Sequence, residues 1–83
     1  MQVNRYSAIM NISRRGGMEK MIKMIKSYDM QNRMILEVFH NDVLVFDNRF
    51  ENKNDLDSTT VEIRWLLRNL GFDEDEIDVL NSL

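Results

Sequence analysis

"RMILEVFHNDVLVFDNRFE", residues 33–51, decides the fold. Two runs rich in β-branched and aromatic residues flank Asn41-Asp42, a pair that tolerates the left-handed conformation of a tight hairpin turn. With those two residues as the loop, Val38 faces Val45 and Phe39 faces Leu44. Leu36, Val38, Val43 and Val45 then share one face, and Ile35, Phe39, Leu44, Phe46 and Phe50 share the other. Both faces are apolar, so the hairpin needs cover on each side. A longer loop of roughly three to five residues shifts this register.

Upstream, Tyr6, Ala8, Met10 and Ile12 alternate with polar residues except at Ile9, which predicts a strand over 6–12. "SRRGGMEKM", residues 13–21, then changes the character of the chain. Met18, Met21, Ile22, Ile25 and Tyr28 recur at three- and four-residue steps and predict a helix, with Lys20, Lys23 and Lys26 on its other side. Downstream, "ENKNDLDS" at 51–58 reads as a loop. Thr59 and Glu62 have capping-box spacing, with Asp57 or Ser58 as alternative caps, and open a helix over 59–70. Ile63, Leu66, Leu67 and Leu70 form its inner stripe. Gly71 is placed to end it in the left-handed conformation, with Phe72 folding back on Leu67. Asp73 and Glu76 repeat the capping spacing and predict a last helix over 73–83, with Ile77, Leu80 and Leu83 on its inner edge.

The expected fold is a small α+β single domain spanning 1–83, in the order β-α-β-β-α-α. An N-terminal strand and Gly-Gly joint (1–17) precede a helix, the antiparallel hairpin and two helices (18–83) packed on the sheet. So small a core holds a net stability of only ~5 kcal/mol, which makes self-association or a partner a natural expectation. The chain has no cysteine, hence no disulfide, thiolate metal site or cysteine nucleophile. No run approaches a membrane span and no apolar signal segment opens the chain, so a cytoplasmic location is expected.

The net charge of −3 is unevenly distributed: +3 over residues 1–46 and −6 over 47–83. That argues against a generally basic nucleic-acid binder while leaving room for a local patch. The sole histidine, His40, lies beside the hairpin turn with no nucleophile pattern around it, so no enzymatic activity is expected. "DEDEID" is dense in carboxylates but lacks the glycine and the oxygen-ligand spacing of a calcium loop; no metal or cofactor is expected. Gly16-Gly17 with Arg14 and Arg15 has the ingredients of an anion site at a helix start, but not the glycine spacing of a phosphate-binding fingerprint. The simpler reading is a joint between elements. Arg-Arg-Gly-Gly ahead of Met18 is also what a ribosome-binding site encodes, making Met18 an alternative start. All seven methionines lie within residues 1–34, suited to core filling or to an adaptable contact surface.

On the helix of 59–70, Val61, Trp65 and Arg68 lie opposite the inner stripe. A solvent-facing helix side has no need of Val and Trp. Either the terminal helix packs over Trp65, or these residues anchor a partner. "LLRNLGFDEDEIDVL" at 66–80 resembles the helix–Gly-Phe–helix corner of ubiquitin-associated domains over about a fifth of the chain. Those domains are all-helical, unlike a chain with this hairpin, and no binding residue is carried over.

The expected function is a non-enzymatic protein-binding module working through Val61, Trp65 and Arg68 and the acids Asp73, Glu74, Asp75, Glu76 and Asp78. Small size, missing cysteine and an acidic half recur among phage- or mobile-element-encoded inhibitors, anti-CRISPR proteins included, which occlude a host protein. This is an analogy of class. Such acids can compete for a basic nucleic-acid groove by mimicking phosphates. The alternative is a nucleic-acid-binding regulator using Arg14, Arg15, Lys20, Lys23 and Lys26. A homodimer through the hairpin is a third arrangement.

Overall fold

The computed structural model describes Tyr6, Ile9 and residues 21–83. Its elements are β1 (Ile22–Tyr28), β2 (Met34–His40), β3 (Val43–Phe50), α1 (Lys53–Asn69), a 3₁₀ turn (Glu74–Glu76) and β4 (Ile77–Asn81). The four strands form one mixed sheet in the order β3-β2-β1-β4. β1, β2 and β3 run antiparallel in succession, and β4 lies parallel to β1. α1 makes the crossover from one sheet edge to the other, and its apolar stripe packs on one sheet face. The class is the expected small α+β domain; the element order differs.

The hairpin turn forms as its residues demand. Asn41 (φ 51°) and Asp42 (φ 69°) are both left-handed, the geometry of a two-residue type I′ loop. Phe39 faces Leu44 as expected, but Val38 faces Phe46, not Val45. A bulge in β3 adds one residue, and each added residue reverses the face of those beyond it. Leu36, Val38, Phe46 and Phe50 therefore share the core, while Val43 and Leu44 are exposed.

Two expected helices are strands. Residues 22–28, read as part of a helix, form β1, which sits between β2 and β4. Ile22 and Met24 point into the core, and the Ile25 of the helical pattern falls on the opposite, half-covered face. An interior strand with apolar residues on both faces can mimic helical spacing over seven residues. The last helix likewise gives way to β4. The capping spacing is genuine, since the Glu76 carboxylate accepts from the Asp73 amide at 2.8 Å. It closes only one turn before Ile77 and Val79 alternate inward against β1. The ladder offered by β1 satisfies this segment's backbone and buries Ile77 together.

α1 is longer than expected and begins inside the predicted loop of 51–58. Asn52 is the N-cap, and its side-chain oxygen accepts from the Asp55 amide at 2.9 Å. Leu56 thereby joins Ile63 and Leu67 on the buried stripe. Thr59, expected as a cap, is buried mid-helix beside Thr60, whose hydroxyl donates to the Leu56 carbonyl at 2.8 Å. The far end closes as expected. Gly71 (φ 103°) donates to the Arg68 carbonyl and Phe72 to that of Leu67, a Schellman closure that buries Phe72.

Most of the strand expected over 6–12, and the Gly16-Gly17 joint, lie outside the described residues. Of that strand, Tyr6 lies in a turn and Ile9 is helical, so neither is extended. Ile9 is fully buried, and Tyr6 packs on Phe46 while its hydroxyl donates to Glu62 at 2.9 Å. Ile9 is the residue out of step with the two-residue alternation, and a helical turn does not keep that period. Among the described residues no buried side-chain polar atom lacks a hydrogen bond, and no helix is long and apolar enough to cross a membrane.

Candidate protein-binding surface

The buried stripe of α1 fixes what its outer side presents. With Leu56, Ile63 and Leu67 inward, Val61, Trp65 and Arg68 project outward. Trp65 is 66% exposed and Val61 is 53% exposed. The reading in which a terminal helix covers Trp65 is overturned, because that segment is β4, paired to β1. Large apolar side chains one helical turn apart thus form a continuous exposed strip.

The Schellman closure gives this strip a wall. It reverses the chain and brings the 3₁₀ turn back beside the last turns of α1, where Glu74 bonds Arg64 at 2.9 Å. Arg68 approaches the same Glu74 oxygen at 3.9 Å. Val61, Arg64, Trp65, Arg68 and Glu74 line a shallow depression of about 170 Å³. Val61, Trp65, Arg68 and Glu74 were expected in a partner surface from the sequence, though not that Glu74 would be held by both arginines. Arg64 was missed. The available signal was spacing, since Arg64 stands four residues before Arg68 and three after Val61.

The remaining acids differ in their surroundings. Asp73, Asp75 and Asp78 are exposed, with no ion pair among the described residues. Glu76 is half-buried, its carboxylate engaged by the Asp73 amide. Asp78 faces Lys23 across the β1–β4 ladder.

Of the residues of the nucleic-acid alternative, Lys23 and Lys26 are described. Arg14, Arg15 and Lys20 lie outside the described residues. Lys23 and Lys26 were expected on one helix flank, but an odd separation along β1 sends them to opposite faces of the sheet. Lys26 is occupied by Asp57 at 3.3 Å. His40 lies edge-on to Phe72, with ring centres 5.9 Å apart, where it packs against the core. Among the described residues, no group of three or more His, Asp or Glu side chains converges as a metal site would require.

Away from this surface, Asp29 organises the β1–β2 turn. Its carboxylate accepts from the amides of Arg33 and Gln31, each at 2.9 Å, and from Arg49 Nε at 2.7 Å. The Arg33 amide first, and the Arg49 side chain next, hold its pKa below the usual carboxylate value. Comparison with protein-family models, curated proteins and solved structures finds no match for this chain.

Proposed function

We propose that this chain is a non-enzymatic protein-binding module that docks through the strip of Val61 and Trp65 on α1. The observation carrying the reading is the exposure of Trp65 beside Val61, in a domain that buries Phe46, Phe50 and Phe72. An indole left in water is costly in a domain of marginal stability, and buried Trp and Arg are favoured interface anchors. Arg68 stands at the rim, and Asp73 and Asp75, in the turn that carries Glu74, give the neighbouring corner negative charge, whereas Asp78 projects from the sheet face opposite α1. The favoured partner is therefore a protein with an apolar recess bordered by basic residues, such as the margin of a nucleic-acid groove. Occluding such a groove is inhibition of the anti-CRISPR or anti-defence kind, the class to which size and composition pointed.

Trp65→Ala tests the reading. The variant should lose more than ~2 kcal/mol of binding to the captured partner while its thermal melt stays close to that of the parent. Undiminished capture, or unfolding of the variant, would remove Trp65 as an anchor.

A further inference from the structure

The sheet ends on one side in β4, which among the described residues pairs with β1 alone. One bond tells which of its backbone groups stay open: the Ser82 amide donates to the Lys26 carbonyl at 2.8 Å. Lys26 stands opposite Asn81 in this parallel ladder. That phase turns the backbone of Asp78, Leu80 and Ser82 toward β1 and that of Ile77, Val79 and Asn81 outward. Both ends of the outward row are closed by the chain itself. The Ile77 amide donates to the Glu74 carbonyl, and the Leu83 amide to Asn81 Oδ1 at 3.1 Å. Val79 and Asn81 are left with amide and carbonyl both unpaired among the described residues. α1 packs over β2 and β3, away from this edge.

We infer that a second copy of this chain adds its own β4 to this edge, antiparallel, about a two-fold axis at Leu80. The choice of partner follows from symmetry and from the open groups. A two-fold axis perpendicular to the sheet continues both of its faces, and it requires facing residues to share a face. An axis at Asp78 sets that carboxylate against its own copy. An axis at Val79 turns the Asn81 carbonyl toward the Ile77 amide, which Glu74 already holds, and sets Asp78 beside Leu80. An axis at Asn81 turns the Val79 carbonyl toward the Leu83 amide, which Asn81 Oδ1 already holds. An axis at Leu80 sets Val79 against Asn81 of the other copy twice over, and each amide then meets a carbonyl with no other partner among the described residues.

The side chains agree with that register. Leu80 is 42% exposed on the sheet face away from α1, beside the half-buried Ile25 of β1. On the axis it meets its own copy and is covered by it, an apolar cross-strand pair. Asp78 is exposed and has no ion pair among the described residues. It comes opposite Ser82 of the other copy, whose hydroxyl can donate to the carboxylate. Asp78 is the single charge in Ile77–Asn81, so this register brings no like charges together. The same axis leaves both copies of α1 on one side of the joined sheet. The inference is independent of Trp65.

Sedimentation equilibrium over a concentration series tests it. The parent should reach twice the 9.9 kDa chain mass. Asn81→Pro removes an amide that only the second copy uses, and an edge strand tolerates proline where the amide faces outward. Leu80→Lys sets two ammonium groups together across the axis. Each variant should dissociate at least roughly tenfold more readily, with circular dichroism checking the fold. Leu80→Cys reads the register. The chain has no other cysteine, and facing residues of a non-hydrogen-bonded antiparallel pair lie within disulfide reach, so mild oxidation should link two chains. Asp78→Cys lies off the axis and should link far more slowly. A parent at single-chain mass throughout, folded Asn81→Pro or Leu80→Lys that stays paired, or equal linking through Asp78→Cys each overturns the inference. Failure of folded Leu80→Cys to cross-link overturns it equally.

Discussion

At the scale of single residues, the least replaceable side chains hold the chain where it turns. Asp29 fastens the β1–β2 turn by accepting two backbone amides and then reaches Arg49 on β3. Its pKa is lowered from 3.8, so its charged form is favoured by folding. That stabilisation is complete above the unfolded value and is lost as pH falls through the lower folded one. Asp29→Asn retains an oxygen for the amides but loses the charge. Urea unfolding should therefore find the variant less stable near neutrality, with the gap to the parent closing below about pH 4. A gap independent of pH would assign the effect to hydrogen-bond shape alone. Gly71, at φ 103°, is demanding for another reason, since a Cβ is strained in that conformation. Gly71→Ala should cost about 1 kcal/mol or more, read as a lowered denaturation midpoint.

At the scale of elements, α1 shows how far composition can mislead. "ENKNDLDS" is polar throughout except for Leu56, and it reads as a loop until the spacing from Leu56 to Ile63 and on to Leu67 is noticed. Those intervals, seven and four residues, keep all three on one helical face. Asn52 then becomes the start signal, with Asp55 returning the favour through a contact from Asn52 Nδ2 at 3.1 Å. Asn52→Ala should destabilise the domain by about 1 kcal/mol and increase amide exchange in the first turn of α1. Unchanged exchange there would move the cap to another residue. β3 adds a second lesson. Its turn was legible because Asn41 and Asp42 carry it locally, but its bulge depends on which partner residues fill the core.

At the scale of the whole molecule, the last strand closes the structure. Among the described residues β4 pairs only with β1, and Ile77 lies in the same apolar cluster as Ile22, Leu36 and Leu67. The C-terminal strand is thus part of the cooperative core. Ile77→Ala should cost roughly 2–4 kcal/mol and lower the midpoint equally by Trp65 fluorescence and by circular dichroism. Separate midpoints would show β4 to be an appendage. The Trp65 surface is a product of the same scale, because it is open only where the terminal segment leaves α1 to join the sheet. By themselves, the amino acids determined the α+β class, the type I′ turn at Asn41-Asp42, the Schellman stop at Gly71 and the outward placing of Val61, Trp65 and Arg68. Each depends on local dihedral preferences or on the period of one helix. Tertiary structure alone decided that residues 22–28 and 77–81 are strands, that β3 is bulged, and that Glu74 closes on Arg64. Strand backbones are satisfied by partners distant in sequence, and a short apolar segment adopts whichever period its neighbours complete.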